Sequence, residues 1–340
     1  MKLSDFDFNL PPELIAQVPS EKRDESSLLL PDDKGNDIVK FHRFIEQLQS
    51  GDLLVFNDSR VVNAQLTLQK NTKDINVNLN RPISENVWLG FAKPGKKLKI
   101  GDEFEFGEHK IRINNKHESG DIEFEFILQD ISIFDFLDIY GQVPLPQYIK
   151  REEQSDDDLE RYQTVYSKEK GSVAAATAGL HFTDSLLHQI NQKGVETAFV
   201  TLHVGAGTFL PVKTEDISKH KMHTEWCQVS AEVADKINLA KQEGRRVIVI
   251  GTTAMRTLES CSSNGIVAAQ TMETNIFITP GYQFQIADLL LTNFHLPKST
   301  LFMLVCAFAG CEKMQSLYQF AIENKMRFFS YGDAMLLKRI

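Results

Sequence analysis

The sequence predicts an α/β protein in which a discontinuous α/β domain is interrupted by a small all-β barrel. Two patterns along the 340 residues carry this prediction. From residue 172 onward, short apolar strands alternate with helical segments, as in a mostly parallel sheet. From about residue 60 to residue 130, apolar residues instead alternate at every second position. We therefore assign residues 1–59 and 151–340 to the α/β domain and residues 60–150 to the inserted barrel.

The first strand of the α/β domain is predicted where the apolar run LLVFN, residues 53–57, ends in the polar residues Asn57, Asp58 and Arg60. The inserted block follows at once. Turn pairs such as Gly101-Asp102 divide it into short alternating stretches, for example residues 75–79, 111–113 and 122–126. About six short strands fit the block, which is typical of a small barrel or sandwich.

Three helices of the second half are marked at both ends. A hydroxyl residue suited to an N-cap precedes each helix and a glycine follows it, because serine and threonine accept from free N–H groups and glycine tolerates the left-handed stop. The predicted helices run from Thr183 to Gly194, from Ser230 to Gly244 and from Ser299 to Gly310.

Composition narrows the class of protein. Hydrophobic residues make up 42% and charged residues 24%, as in an ordinary globular protein. The net charge of −9 disfavours a general nucleic-acid-binding surface, so contact with RNA must be local. The best basic cluster, KPGKKLK at residues 93–99, is better explained by a solvated turn when it is taken alone.

Location is predicted from segments that the sequence lacks. The N-terminus has no basic region followed by an unbroken apolar core, and the longest apolar run, residues 301–311, is too short to cross a bilayer as a helix. The four cysteines form no C-x-x-C pair. We expect a cytoplasmic protein without membrane contact and with no obligate protein partner; a monomer is the simplest expectation for its oligomeric state.

Four strand ends carry polar or glycine residues, and they predict one ligand pocket. In open α/β sheets, ligands bind beyond the carboxyl ends of the strands. The four segments are GSVAAATAGLHFT (171–183), TLHVGAGTF (201–209), VIVIGTTAMRT (247–257) and LLLTNFHLPKST (289–300). We interpret the first as a small-residue strand that runs directly into Thr177, Gly179 and His181.

Each segment also has a purely structural explanation. GSVAAATAGLHFT fits a tight, capped turn, and Arg256 with Glu259 fits an exposed pair on a capped helix. HVGAGTF lacks the dinucleotide pattern G-x-G-x-x-G and the P-loop lysine, so no Rossmann cofactor is expected. The coincidence of four such ends favours a binding site.

A metal site is not favoured. His220, His223 and Cys227 have suitable spacing, but no second Cys or His pair supplies a fourth ligand. Near the C-terminus, RFFSYGD at residues 327–333 combines a cation, aromatic rings and a carboxylate, which suits a cationic ligand or a splayed-out base as well as a core.

These segments, in this order, resemble the S-adenosylmethionine:tRNA ribosyltransferase-isomerase family of queuosine biosynthesis. The resemblance spans nearly the whole chain and rests on long collinear segments. They are LPPELIAQVP, RDESSLLL, GDLLVFNDSRVVNA, VPLPQYIKR, ERYQTVYS, GSVAAATAGLHFT, TLHVGAGTF, HKMHTEW, GTTAMRTLES, TNFHLPKSTLFMLV and RFFSYGD.

The resemblance implies transfer of the ribosyl part of S-adenosylmethionine to 7-aminomethyl-7-deazaguanine at the wobble position of tRNA. Epoxyqueuosine would form, with adenine and methionine released. It also implies a two-domain α/β protein with an inserted β-barrel. S-adenosylmethionine is then a co-substrate, and neither a bound cofactor nor a metal is expected.

Such a reaction needs a base for the acidified ribose carbon and groups that hold the substrates. The candidates for proton transfer are Asp58, His181, His203 and His295. The candidate substrate-binding residues are Asn57, Arg60, Thr177, Gly179, Gly205, Gly207, Thr208, Thr252, Thr253, Arg256, Asn293, Lys298, Arg327, Tyr331 and Asp333.

The chain departs from the family pattern at five matched positions. Family members usually carry proline where Ala176 and Gln147 stand, arginine where Leu210 and Ser27 stand, and tyrosine where Met326 stands. The change at Leu210 removes an expected anion contact. We expect activity to survive, because the His, Thr and Gly positions of the motifs remain.

Two other functions fit the sequence less well. An S-adenosylmethionine-dependent RNA methyltransferase should show an acidic-x-G-x-G loop after its first strand, which this chain lacks. A non-catalytic RNA-binding protein built on the barrel would need a basic, aromatic barrel face and would leave the four polar strand ends without a purpose.

Overall fold

The structure is a computed structural model and describes residues 1–32, 35–118, 120–146, 148–149, 160–205, 212 and 214–340. The strands are β1 Ser27–Asp32, β2 Gly35–Lys40, β3 Leu53–Asn57, β4 Ser59–Val61, β5 Gln65–Lys70, β6 Lys73–Ser84, β7 Val87–Lys93, β8 Glu103–Phe106, β9 His109–Lys116, β10 Ile122–Ile127, β11 Glu169–Ser172, β12 Glu196–Leu202, β13 Glu225–Val229, β14 Val247–Ile250, β15 Ser262–Ser263, β16 Ile266–Val267, β17 Gln270–Thr274, β18 Leu289–Asn293 and β19 Ala334–Lys338.

The α-helices are α1 Ile133–Tyr140, α2 Asp184–Gln192, α3 Ala231–Gln242, α4 Gly251–Ser260, α5 Thr300–Ala309 and α6 Cys311–Glu323. Short 3-10 turns lie at Leu3–Phe6, Pro12–Leu14, Arg23–Glu25, Phe41–Gln47, Gly95–Lys97, Thr177–His181 and Ile217–Lys219. The predicted caps are confirmed: the hydroxyls of Thr183, Ser230 and Ser299 accept from the first turns of α2, α3 and α5.

Nine of the described strands form one sheet in the order β17-β13-β12-β3-β14-β18-β19-β1-β2. The expectation of a mostly parallel sheet is wrong at its edges. Strands β12, β3, β14 and β18 are parallel neighbours, but β13, β17, β19 and β2 each pair antiparallel with a neighbour. The sheet is therefore mixed, with a parallel centre.

Both faces of the central strands are buried, which explains their continuous apolar sequences. In β3, Leu53 and Val55 pack into the core that includes α3 to α6, whereas Leu54 and Phe56 pack against α2 and the Phe41–Gln47 turn. In the central strands β3, β14 and β18, polar side chains are therefore confined to the strand ends.

The inserted block forms a nearly closed antiparallel barrel of six strands, in the order β5-β6-β7-β10-β9-β8. The residues of the predicted alternation, such as Val77, Ile113 and Phe124, are buried in its core. Gly90 faces Phe124 so closely that a Cβ would lie 3.2 Å from that ring. The α/β fold with an inserted β-barrel is thus confirmed, while the exact domain limits stay a prediction.

The leading motif differs from its expected form. Its strand, β11, ends at Ser172 and pairs in parallel with β4 rather than joining the large sheet. Residues 173–176 lie outside any strand, and Thr177–His181 form a 3-10 turn before α2 begins. Alanine and glycine allow this close turn, but they do not extend the strand.

Candidate active site

Three depressions collect most of the predicted site residues. The strand-end pocket lies where β14 and β18 end and α4 begins, and includes Thr177, Thr252, Thr253, Arg256, Asn293 and His295. The barrel cleft includes His203 and Gly205. The N-terminal notch includes His181 and Tyr331. Its other lining residues are Pro19, Ser20, Arg23, Arg161, Leu180, Ser330 and Gly332. All four strand-end segments contribute residues to the strand-end pocket, namely Thr177, Val204, Thr252 and Asn293 among others, whereas His181 and His203 lie in the other two depressions.

The start of α4 forms one wall of the strand-end pocket. Gly251 takes a φ of +89°, which lets the chain turn from β14 directly into the helix. No side chain caps this helix start, and the Oγ1 atom of Thr253 is buried without a hydrogen-bond partner among the described residues. Free N–H groups at a helix start favour an anionic group.

Arg256 lies one turn into α4 and forms a buried ion pair with Glu225, each side chain being 3% exposed. The Nη1 atom of Arg256 makes this contact. Its Nε and Nη2 atoms have no hydrogen-bond partner in the described part of the chain. Those two nitrogens form one edge of the guanidinium group, the geometry in which arginine grips a carboxylate with two parallel bonds.

Asn293 and His295 also line the strand-end pocket. The Nδ2 atom of Asn293 donates to the Phe329 carbonyl at 3.1 Å, while its Oδ1 atom is buried and has no partner in the described ranges. The Nε2 atom of His295 lies 3.2 Å from Thr292 Oγ1. Burial lowers the pKa of His295 to about 3, so the ring is neutral at pH 7.

His181 is held on all sides in the N-terminal notch. Its Nδ1 atom lies 2.7 Å from Ser26 Oγ, its Nε2 atom lies 3.3 Å from Asn293 Nδ2, and the ring stacks on Phe41 at 4.8 Å. Burial, followed by the nearby charge of Arg327, lowers the pKa of His181 to about 3. This histidine is neutral, and it links the notch to Asn293 of the strand-end pocket.

His203 faces the barrel cleft. Its ring stacks on Trp226 at 4.8 Å with 15° between the planes, and a Cβ on Gly171 would lie 2.8 Å from its Nε2 atom. The Nδ1 atom is buried and has no hydrogen-bond partner among the residues described. Burial lowers the pKa of His203 to about 4. The ring is therefore neutral, with one nitrogen uncommitted.

The predicted site residues at the end of β3 and just after it line none of the three depressions. Asn57 is fully buried and bonds both backbone groups of Leu202, at 3.1 Å and 2.9 Å, which ties β3 to β12. Asp58 accepts from Thr201 Oγ1 at 2.7 Å, and burial raises the pKa of its carboxyl. Arg60 is exposed on β4.

The C-terminal seam joins Arg327 and Asp333 to the N-terminal segment. Arg327 donates to the carbonyls of Val18 and Tyr331 and to Ser20 Oγ, at 2.8–3.0 Å. Asp333 accepts from the backbone N–H groups of Ser27 and Arg327, each at 2.8 Å. Lys298 instead forms a half-exposed ion pair with Asp7 at 2.8 Å.

Of the remaining predicted positions, some have a packing role and others lie outside the described residues. A Cβ on Gly179 would lie 2.0 Å from the Tyr166 hydroxyl, so this glycine permits close packing. Ala176 precedes the 3-10 turn and Met326 is buried, so both departures from the family pattern fit their surroundings. Gly207, Thr208, Leu210 and Gln147 lie outside the described residues.

Glu225 and Trp226 were missed by the sequence reasoning. Glu225 occupies the same strand face as the buried Cys227 and Val229, so a carboxylate at an inward position was the available signal. Its Oε1 atom also accepts from the Gly205 N–H at 3.0 Å. The described residues contain no cluster of three or more His, Cys, Asp or Glu suited to a metal ion.

Comparison with known proteins places the chain in a family. The profile of the family described as "Queuosine biosynthesis protein" matches residues 3–337. The chain belongs to this family of queuosine biosynthesis proteins. As a member of the family, it is an enzyme of queuosine biosynthesis.

Relatives of this queuosine biosynthesis protein match over the full length. A protein of Rickettsia bellii (strain RML369-C) is 58% identical, covering 100% of this chain and 99% of its own length. A protein of Rickettsia prowazekii (strain Madrid E) is 53% identical, with 100% of both chains covered. Both are named S-adenosylmethionine:tRNA ribosyltransferase-isomerase.

A solved structure supports the fold of the queuosine biosynthesis protein. The S-adenosylmethionine tRNA ribosyltransferase of Thermotoga maritima is 34% identical, with a TM-score of 0.56 over 98% of this chain and 99% of that chain. Among the helices that the structure describes, none is long and apolar enough to span a bilayer.

Proposed function

We propose that the protein transfers and isomerises the ribosyl moiety of S-adenosylmethionine onto 7-aminomethyl-7-deazaguanine at the tRNA wobble position. Epoxyqueuosine forms, and adenine and methionine leave. Full-length identity to enzymes named for this activity supports the reaction. The observation in the structure that carries it is the buried, uncommitted edge of Arg256 at the start of α4.

The methionine end of S-adenosylmethionine carries a carboxylate that fits this edge. Nε and Nη2 of Arg256 donate two parallel bonds to it, and the uncapped α4 start adds a favourable dipole. Thr253 Oγ1 supplies a third polar atom without a protein partner in the described chain. The pocket has a cavity volume of only about 40 Å³, which suits a terminal polar group rather than a whole nucleoside.

Ribosyl transfer also requires proton removal beside the sulfonium, because the positive sulfur acidifies the adjacent ribose carbon. A neutral imidazole with a free nitrogen suits this step. His203 has both properties, whereas His181 is engaged at both ring nitrogens and His295 contacts Thr292. We assign proton transfer to His203 and positioning roles to His181 and His295.

The tRNA is expected to contact the exposed cations by its phosphates. Lys298 is 46% exposed, and the Gly95–Lys97 turn presents exposed lysines between β7 and β8. The proposed reaction uses S-adenosylmethionine as co-substrate and needs no metal, bound cofactor or obligate protein partner. We expect it to act in the cytoplasm, on its tRNA substrate.

The decisive experiment incubates the protein with labelled S-adenosylmethionine and tRNA bearing the 7-aminomethyl base, then analyses nucleosides and small molecules. We expect adenine release that matches ribosyl transfer. The same tRNA with guanine at the wobble position is the matched control and should give no product. Methyl transfer, or tRNA binding without turnover, would contradict the proposal.

A further inference from the structure

The barrel cleft is a second, larger cavity with no assigned ligand. It lies between the barrel, which contributes Asn80, Arg81, Pro82 and Trp88, and the large sheet, which contributes Glu225, Trp226 and Glu273. Its cavity volume is about 240 Å³, against about 40 Å³ for the strand-end pocket. A group the size of a nucleobase therefore fits this cleft and not the other pocket.

Four aromatic rings line its walls. His203 and Trp226 are stacked at 4.8 Å on one side. Trp88 meets Phe134 edge to face at 6.3 Å on the barrel side. The chain has only two tryptophans, and both line this cleft. Flat rings of this kind hold splayed-out bases by stacking.

Two polar groups beside these rings, His203 Nδ1 and the Glu273 carboxylate, are able to bind a ligand. The buried Nδ1 atom of His203 has no partner in the described part of the chain. Glu273 lies at the rim with 59% of its side chain exposed, and its only ion pair among the described residues is a 3.6 Å contact with Arg81. An exposed pair at this distance is weak, so the Glu273 carboxylate can turn to a cationic ligand.

The cleft and the strand-end pocket are neighbours. Val204 lines one and Gly205 the other. Glu225, which lines the cleft, bonds the Gly205 N–H and pairs with Arg256 of the strand-end pocket. A ligand in the cleft is therefore separated from the strand-end pocket by one backbone segment and one ion pair.

We propose that the barrel cleft binds a flat, purine-like base that carries a primary amine, stacked against the His203–Trp226 wall with its amine near Glu273. This inference rests on the proposed function, since the amine-bearing base is then the acceptor of the ribosyl group. The barrel thereby contributes half of the acceptor site, rather than serving only as a tRNA-binding platform.

Intrinsic fluorescence tests the site directly. Trp88→Phe leaves Trp226 as the only tryptophan. The probe is an anticodon stem-loop RNA with 7-aminomethyl-7-deazaguanine at the wobble position, compared with the same stem-loop carrying guanine. We expect saturable quenching by the first and several-fold weaker binding of the second. Binding of the RNA without any change in Trp226 fluorescence would overturn the inference.

A second variant tests whether Trp226 is the residue that stacks on the base. Trp226→Leu should weaken stem-loop binding about 5- to 150-fold, the range for losing one base stack, and raise KM for tRNA while KM for S-adenosylmethionine changes less than about two-fold. Phe199→Leu, on an exposed aromatic of β12 that lines none of the pockets, is the matched control.

The outcomes separate the two proposals. Wild-type turnover with unchanged tRNA affinity in Trp226→Leu would overturn the cleft assignment and leave the proposed function intact. Quenching that depends on the amine, in a protein that releases no adenine, would overturn the proposed function and leave the cleft as a binding site for the base.

Discussion

The strand-end pocket and the C-terminal seam each contain a buried or half-buried arginine, but the two arginines differ in their hydrogen-bond partners. In the seam, Arg327 has three acceptors from its own chain and lies near Asp333. In the pocket, Arg256 keeps two buried nitrogens without a partner in the described residues. The protein therefore supplies hydrogen-bond acceptors to Arg327, whereas two donor nitrogens of Arg256 are available to a ligand.

An uncommitted buried donor costs free energy, so its presence indicates where a ligand completes the bonding. Thr253 and Asn293 repeat the pattern in the same pocket. The seam and the N-terminal notch show the opposite pattern, since Asp333 of the seam accepts two backbone bonds and His181 of the notch is bonded at both nitrogens. We therefore expect changes in the pocket to alter turnover, and changes in the seam to alter stability.

The largest expected effect separates the two arginines. Arg256→Lys keeps a cation beside Glu225 but loses the two-nitrogen edge, so kcat/KM for S-adenosylmethionine should fall about 100-fold with little change in Tm. Arg327→Lys loses several bonds of the seam and should lower Tm with a smaller loss of activity. Steady-state kinetics and thermal unfolding check both, and equal kinetic losses would refute the comparison.

The next effect concerns the placement of His203. Gly171 has a φ of +143°, and an added Cβ would lie within 2.9 Å of that ring. Gly171→Ala should therefore lower kcat about 30-fold by displacing the imidazole. Gly35→Ala is the control, because Gly35 has a φ of +149° but open space around it. It should cost stability alone; a similar kcat loss there would show that backbone strain, not His203, is responsible.

A smaller effect distinguishes two threonines of α4. Thr253→Val removes a hydroxyl without a described partner and should raise KM for S-adenosylmethionine about 5-fold without loss of stability. Thr257→Val removes a hydroxyl that donates to the Thr253 carbonyl at 3.0 Å, so it should lower the free energy of unfolding by about 1 kcal/mol. An unchanged KM in Thr253→Val would exclude that hydroxyl from binding.

The smallest effect is a pH dependence of stability that arises from His181 in the N-terminal notch. The pKa of His181 is lowered to about 3 in the folded protein, so only the unfolded chain gains its proton near pH 6.5. The free energy of unfolding should thus fall by about 0.7 kcal/mol from this residue between pH 7 and pH 6. Denaturant titrations of His181→Gln should lack this contribution, whereas His188→Gln on exposed α2 should retain it.

The sequence predicted what local physics determines. Thr183, Ser230 and Ser299 cap their helices because the cap and its target are three residues apart. The barrel strands followed from alternation, since one face of each is buried. These features need no knowledge of distant contacts.

Features that join distant segments were missed. Glu225 and Arg256 are 31 residues apart, and no local sequence pattern predicts that they pair. The barrel meets the end of β12, so His203 faces the cleft rather than sharing the strand-end pocket with His295. Antiparallel edges of the large sheet were likewise not visible, because apolar strands look alike in either direction.

The strand order has a consequence for synthesis of the chain. Strand β1 pairs with β19, so one of the first strands made waits for one of the last. The six barrel strands, from residue 65 to residue 127, form one sheet with each other and are complete much earlier. On the ribosome we expect the barrel to form first and the catalytic sheet to close only when the C-terminal strand emerges. A chain cut short before residue 334 would thus carry a finished barrel on an unfinished sheet.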